Sequence, residues 1–307
     1  MKKLEELNAI DNFMFNELTM QEDVEKAKLF CRTVLEPIIG EKIHNIEIIP
    51  QKINQGIEPD SHGIQMDAYI RVTRDENGNE TTDVEVGLEN AIYDIEPNLY
   101  QISSEEKRAR FYHSSIDSHI FKSGTDYKNL EKVVVIFILT YDPFGLDRML
   151  YTIKRHCVEE PEMTYDDGDL TYFIYTNGTK NVPSQELKNM LSFLVDSSDN
   201  NATSENLAAV RAMMDEIKHN HRIGVKYMHT WEREQHIRQE ALEQGIKEGI
   251  EQGIKEGIEQ GIEQGSEATL IRLITAKLSK GKSLTDIANE IEEPESKVSE
   301  LIMKYNL

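Results

Sequence analysis

The chain has 307 residues, of which 38% are hydrophobic and 29% are charged, and its formal net charge is −22 at pH 7. This length can bury one substantial core, and the low hydrophobic fraction indicates a globular part diluted by a polar segment. So acidic a chain argues against salt-driven binding of nucleic acid over its whole surface, although it leaves room for a local basic face.

The sequence shows no sign of a membrane span, a secretion signal or a disulfide framework. The longest apolar run, at residues 133–139, is far shorter than a bilayer helix needs, and the N-terminus has no apolar signal core. Cys31 and Cys157 are the only two cysteines and lack metal-ligand spacing. We therefore expect a cytoplasmic protein with no membrane partner.

The first third of the chain predicts one helix followed by strands. A broken apolar stripe predicts a helix over residues 11–36, which Asp11 would cap and Pro37 would end. Three later stretches read as strands: residues 43–49, residues 67–73 and a third stretch that ends at Glu96 and Pro97. Between the second and the third, Asn77-Gly78 is a hairpin turn signal.

The middle of the chain alternates helices and strands, which predicts an α/β fold. Helices are expected at residues 105–121, 184–195 and 204–231, and strands at residues 133–139, 149–154 and 170–175. We expect these elements to form one domain over residues 1–235.

A four-residue repeat occupies residues 236–266. Its glycines and its isoleucines each recur at every fourth position: Gly245, Gly249, Gly253, Gly257, Gly261 and Gly265, and Ile246, Ile250, Ile254, Ile258 and Ile262. Each glycine costs a helix about 1 kcal/mol relative to alanine, and an apolar stripe of this spacing drifts by about 40° per repeat. The segment is therefore either a flexible acidic linker or an oligomerisation helix whose glycines allow close approach.

Residues 267–307 predict a small helical unit. Gly281 breaks the first helix, Ser283 can cap the second and Pro294 opens the third, a spacing that resembles a helix-turn-helix. Because the last helix offers glutamate and lysine rather than the arginine, asparagine or glutamine that read base edges, we favour a protein-packing role over DNA reading.

Two acidic residues on neighbouring predicted strands are the best candidates for chemistry. Asp67 stands at the start of the second strand and Glu96 near the end of the third. Paired carboxylates of this kind can hold Mg²⁺ against a phosphodiester. The alternative is that both face solvent on edge strands.

The order of several motifs resembles the Rpn-type recombination-promoting nucleases, a transposase family of the PD-(D/E)XK nuclease superfamily. The matching stretches, between Asp11 and Gly178, are DNFMF, GIQMDAYI, YDIEPN, KRARFYHSSIDSHIFKSGTDYKNL, VVVIFILTYDPFG and YDDGDLTYFIYTNG, and the Gly-Ile-Glu-rich tail is also common there. The resemblance implies a restriction-endonuclease-like core, with a mixed central sheet flanked by helices, and Mg²⁺-dependent hydrolysis of DNA, with Mn²⁺ as an alternative ion.

The resemblance also implies roles for individual residues. Asp67 and Glu96 would bind the metal, with the Pro97 carbonyl as a third ligand. Asn98 would position the attacking water, although the family has lysine or glutamine there, which puts catalysis in doubt. A second alignment pairs Asp67 with Glu85; we favour Glu96 because YDIEPN leads with family-like spacing into KRARFYH.

A cationic stretch follows the predicted third strand. Lys107, Arg108 and Arg110 could clamp phosphates of DNA, or could form an ordinary solvated helix face. The function predicted from the sequence is thus that of a DNA endonuclease acting on mobile DNA. The alternative is a decayed nuclease fold that binds DNA or protein and self-associates as a homo-oligomer through its tail.

Overall fold

The computed structural model describes residues 2–43, 46–49, 53–54, 64–65, 68–72, 91–101, 104–121 and 123–307. The chain divides into two compact units, Met1–Met228 and His229–Leu307. Among the described residues, no helix combines the length and the apolar character that crossing a bilayer requires.

The described strands of the first unit form a six-stranded mixed sheet and a separate two-stranded ladder. The strands are β1 (Ile46–Ile49), β2 (Ile53–Asn54), β3 (Ile64–Gln65), β4 (Ala68–Val72), β5 (Ala91–Asn98), β6 (Lys132–Leu139), β7 (Leu150–Ile153) and β8 (Asp169–Tyr175). The order in the large sheet is β1-β4-β5-β6-β8-β7, and β2 pairs with β3. β5, β6 and β8 run parallel to one another, whereas the β1–β4, β4–β5 and β7–β8 pairs are antiparallel.

The helices of the described chain are α1 (Asn12–Thr19), α2 (Val24–Ile39), α3 (Glu105–Ile120), α4 (Gln185–Val195), α5 (Glu205–His219), α6 (His221–Leu278), α7 (Leu284–Ile291) and α8 (Glu295–Tyr305). Short 3₁₀ turns lie at Leu4–Glu6, Tyr127–Asn129 and Asp199–Asn201. The first unit is therefore a mixed α/β fold with helices on its sheet.

The central strands of the sheet, β5 and β6, are buried on both faces. Along β6 the side chains of Val134, Ile136 and Ile138 pack against α1, α2, α4 and α5, while those of Val135 and Phe137 pack towards α3. A strand covered on both faces reads as a continuous apolar run, which explains the sequence of β6. Ala109, Tyr112 and Ile116 of α3 lie in the same buried cluster as Ile92 of β5, so α3 packs on the face of the sheet to which Ile92 belongs.

The helix predicted over residues 11–36 is two helices, and Pro37 does not end the second. Asp23 starts α2, where its side chain accepts hydrogen bonds from the backbone N–H groups of Glu25 and Lys26. Pro37 lies in the last turn, where the missing N–H removes one hydrogen bond near a helix end, and Gly40 then ends α2 with a positive φ of 75°. Asp11 does precede α1, but its carboxylate accepts from the Asn8 N–H at 2.7 Å instead of capping the helix.

The helix predicted over residues 204–231 is also interrupted. α5 ends at His219, and α6 begins at His221 after Asn220, whose side chain accepts from the Arg222 N–H at 3.0 Å. α6 then runs for 58 residues through the glycine repeat. A Cβ built on any of the repeat glycines would meet nothing within 4 Å among the described atoms, so packing of this chain against itself does not account for them.

The second unit holds its own small core. Ile274 of α6, Ile287 and Ala288 of α7, and Val298 and Leu301 of α8 are buried together. The Ser283 side chain accepts from the Asp286 N–H at 3.2 Å and caps α7, at the position expected from the sequence.

Only one of the two thiols is expected to react in the folded protein. Cys31 is buried in α2, and burial raises the pKa of its thiol to about 12, whereas Cys157 is half-buried. Because the thiolate is the reactive species, iodoacetamide at pH 8 should alkylate Cys157 and spare Cys31. Mass spectrometry of the native and urea-unfolded protein checks this, and rapid labelling of Cys31 in the native state would contradict it.

Candidate active site

The face of β5 that is turned towards α3 carries polar side chains inside the sheet. Ile92 packs into the apolar cluster under α3, and alternation along the strand places Asp94, Glu96 and Asn98 on the same face. Their exposed fractions are 0%, 2% and 9%. β5 lies between β4 and β6, so the interpretation of Glu96 as a solvent-facing residue on an edge strand is wrong.

Glu96 is held by two side chains of α3. Arg108 Nη2 donates to Glu96 Oε2 at 2.8 Å, and the Tyr112 hydroxyl donates to the same oxygen at 3.1 Å. Arg108 and Tyr112 stand four residues apart, a spacing that brings them to one face of a helix. A buried carboxylate is tolerated only when paired and hydrogen-bonded, and these two residues satisfy that need.

The surroundings of Arg108 keep it charged. Its guanidinium lies over the rings of Tyr112 and Phe137, at 5.1 and 5.2 Å from their centroids. Burial would lower the pKa of Arg108, but the Tyr112 hydroxyl and the carboxylates of Glu96 and Glu105 outweigh it and hold that pKa above its usual value. Burial and then the negative charge of Glu96 raise the pKa of the Tyr112 phenol, so Tyr112 remains a donor.

A second buried carboxylate lies on the other side of Arg108. Glu105, the first residue of α3, is 4% exposed, and its Oε2 is 3.8 Å from Arg108 Nη1. The Tyr141 hydroxyl, just after β6, donates to Glu105 Oε1. Arg108 is therefore placed between the carboxylates of Glu96 and Glu105.

Two of the predicted site residues on β5 are buried beside Glu96. Pro97 is buried and pairs with Ile138 of β6. The backbone oxygen of Asn98 accepts from the Thr140 N–H at 3.3 Å, and its side-chain Nδ2 has no hydrogen-bond partner among the residues that the structure describes. Asp67 and the alternative Glu85 lie outside the described residues.

The three predicted DNA-binding residues do not share one environment. Lys107 and Arg110 are exposed on α3, whereas Arg108 reaches inward to Glu96. Sequence reasoning missed Asp94, Glu105, Tyr112 and Tyr141. The alternation of YDIEPN was a signal for Asp94, and the helical spacing of Glu105, Arg108 and Tyr112 was a signal for the cluster on α3.

A Mg²⁺ site in a protein is built from several oxygen ligands, carboxylates above all. The described residues contain no group of three or more histidine, cysteine, aspartate or glutamate side chains arranged for a metal ion. The Glu96 carboxylate nevertheless faces a cation, the Arg108 guanidinium, and oxygen donors of this kind are those that Mg²⁺ prefers. Glu96 thus supplies one carboxylate of the kind that a magnesium site needs, and Asp67, the second ligand expected from the sequence, lies outside the described residues.

A second polar cluster lies at the far end of α3. His113 Nε2 is 2.9 Å from Thr171 Oγ1, and His113 Nδ1 is 3.3 Å from Asp169 Oδ1. Burial would raise the pKa of Asp169, but His113 and then Arg155 outweigh it and lower that pKa. Burial and the negative charge of Asp169 raise the pKa of Asp117 in the same cluster.

Replacing Asp117 with asparagine is expected to stabilise the protein at pH 7 by roughly 0.5–1 kcal/mol, allowing for its partial exposure. Because the folded pKa of Asp117 is raised, its ionisation opposes folding. The gain should therefore disappear below the ordinary aspartate pKa of about 3.9. Urea unfolding at pH 7 and pH 3.5 measures it.

The Asp169→Asn variant serves as the matched comparison. The folded pKa of Asp169 is lowered, so this carboxylate contributes stability above its unfolded pKa, and that stability is lost as the pH falls through its folded pKa. Asp169→Asn should therefore destabilise the protein at pH 7. Equal shifts of the same sign in both variants would contradict this account of the cluster.

Comparison of the chain with protein-family models, with curated proteins and with solved structures found no match. Function is therefore inferred from the residues and geometry of this chain.

Proposed function

We propose that the protein is a metal-dependent DNA endonuclease of the PD-(D/E)XK type that promotes recombination of mobile DNA. The observation that carries the proposal is the buried, cation-paired Glu96 on an interior strand. Ile95 pairs with Ala68 of β4, and in the sequence Glu96 follows Ile95 directly while Asp67 precedes Ala68 directly. The six-stranded mixed sheet flanked by helices is compatible with the core that the resemblance implies.

The proposal gives separate roles to Asp67 and to three residues of β5. Asp67 and Glu96 would hold the metal, together with the Pro97 carbonyl, and the side-chain amide of Asn98 would orient the attacking water. When bound, Mg²⁺ or Mn²⁺ would neutralise phosphate charge and lower the pKa of a water molecule. Lys107 and Arg110, exposed on α3, bind phosphates of the DNA backbone.

The nicking of supercoiled plasmid DNA in the presence of Mg²⁺ or Mn²⁺ tests this function. The wild-type protein should convert supercoiled plasmid to the nicked form, and the Asp67→Asn variant should not. Equal inactivity of both proteins over a range of divalent ions would contradict the endonuclease proposal.

A second candidate function is a decayed nuclease fold that binds DNA or protein and self-associates through its tail. The repeat isoleucines favour it, because in this chain they are 53–68% exposed along α6. Asn98, at the place of a lysine or glutamine, is consistent with lost catalysis. Light scattering of a truncation at residue 240 tests this assembly role. If the number of subunits per particle is the same with and without the tail, the tail has no role in assembly.

A further inference from the structure

Arg108 is shared unequally by two buried carboxylates. Its Nη2 is 2.8 Å from Glu96 Oε2, a charge-assisted hydrogen bond, whereas its Nη1 is 3.8 Å from Glu105 Oε2, beyond hydrogen-bond range. Among the described residues, neither Nη1 of Arg108 nor Oε2 of Glu105 has a hydrogen-bond partner. Both atoms are buried, and a buried polar atom without a partner is costly.

A small movement of the guanidinium would satisfy both atoms. The distance from Arg108 Nη1 to Glu105 Oε2 is 3.8 Å and that from Arg108 Nη2 to Glu96 Oε2 is 2.8 Å, a difference of about 1 Å. The rings of Tyr112 and Phe137 lie against the guanidinium, so a shift of this size keeps the guanidinium beside both rings. Tyr141 meanwhile fixes the other oxygen of Glu105. Glu105 is therefore positioned as an alternative partner for Arg108.

We propose that Glu105 is a positioning residue that receives Arg108 when the Glu96 carboxylate is given up to a divalent cation. This inference rests on the proposed function. Arg108 is the counterion of Glu96 in this structure. A divalent cation on the Glu96 carboxylate would repel the Arg108 guanidinium, and this repulsion favours its movement away from Glu96 Oε2. Transfer to Glu105 keeps the arginine paired inside the protein and makes Glu96 available as a ligand.

Titration of Mn²⁺ into the full-length protein, followed by calorimetry, tests the proposal. Glu105→Gln preserves the shape of the side chain and an acceptor for Tyr141, but removes the charge that would receive Arg108. Arg108 should then stay on Glu96, and the affinity for Mn²⁺ should fall by about tenfold, the worth of one charge-assisted hydrogen bond.

Two further variants test whether the change in Mn²⁺ affinity comes from the transfer of Arg108. Tyr141→Phe removes a donor from Glu105, which should then attract Arg108 more strongly and tighten Mn²⁺ binding by roughly threefold. In an Arg108→Gln background, Glu105→Gln should have no effect on the affinity, because there is no arginine to transfer. Glu105→Gln should weaken Mn²⁺ binding and Tyr141→Phe should tighten it. A general loss of structure would weaken binding in both variants, so the two results distinguish it from the transfer of Arg108.

Glu106→Gln is the matched control, because Glu106 is also an acidic residue in the first turn of α3 but is exposed. It should bind Mn²⁺ like the wild type, and circular dichroism checks the fold of every variant. If Glu105→Gln bound Mn²⁺ as tightly as the wild type, the role of Glu105 would be overturned. The same holds if Glu105→Gln lowered the Mn²⁺ affinity equally with Arg108 present and with Arg108→Gln. Neither result would exclude the metal site itself. A wild type that binds no Mn²⁺ through Glu96 would overturn the proposed metal site, and this inference with it.

Discussion

Replacing Glu96 with glutamine is expected to lower Mg²⁺-dependent nicking of supercoiled plasmid by at least about a hundredfold, the effect of losing one group that stabilises charge at a reacting centre. Glutamine keeps an oxygen for Arg108 and Tyr112 but cannot offer a charged ligand to a metal. The initial rate of nicking over a series of enzyme concentrations measures the loss.

The control for this variant is again Glu106→Gln, which removes an exposed glutamate from the neighbouring helix and should nick plasmid at the wild-type rate. Circular dichroism should show the same helix and strand content in both variants. A Glu96→Gln protein that keeps activity within about threefold of the wild type would exclude Glu96 from the catalytic machinery, since removing one such group costs far more than that.

The Arg108→Gln variant is expected to lower the free energy of unfolding by about 3 kcal/mol in buffer free of divalent ions, because removing one partner of a buried ion pair takes the counterion away from the other. Glu96, at 2% exposure, is the charge left behind. Urea unfolding followed by circular dichroism measures the change. In 5 mM Mn²⁺ the loss should be smaller, because a bound cation would replace the arginine.

Arg110→Gln is the matched control, because Arg110 stands on the same helix but is exposed. Its stability should stay within about 0.5 kcal/mol of the wild type, as is usual for surface substitutions. If Arg108→Gln proved as stable as Arg110→Gln without divalent ions, the ion pair between Arg108 and Glu96 would make no contribution to the free energy of unfolding.

The strands and helices closest to the site could be predicted because their local signals agree with the tertiary structure. The predicted strand at residues 133–139 corresponds to β6 and the predicted helix at residues 105–121 to α3. Both have strong periodicity and lie in the core, where burial reinforces the pattern. The breaks after Thr19 and at Asn220 were missed because they depend on single capping and turn residues inside longer apolar patterns.

The side-chain contacts of the site were harder to predict from the sequence than its strands and helices. Glu96 was a candidate ligand from the sequence and stays a prediction. Its pairing with Arg108 depends on how α3 packs on the sheet, and spacing alone does not determine this packing. For the same reason Arg108 was grouped with Lys107 and Arg110 as a surface cation. The sequence shows three cationic residues on α3, but only the fold shows that Arg108 points to the interior and contacts Glu96.

The conformation of the glycine repeat could not be predicted from the sequence, for a different reason. Propensity alone predicts a marginal helix, since six glycines together cost about 6 kcal/mol relative to alanine. The structure has a continuous helix through residues 245–265, whose isoleucines are exposed within this chain. The sequence left linker and helix open because side-chain pairs four residues apart are too weak to offset the cost of six glycines.

Calorimetric titration of Mn²⁺ into the wild-type protein and its Asp67→Asn and Glu96→Gln variants tests the proposed metal site most directly. We expect a binding event in the wild type that is lost in both variants and retained in Glu106→Gln. The absence of binding to the wild type, or binding of equal affinity in all four proteins, would contradict a metal site built from Asp67 and Glu96.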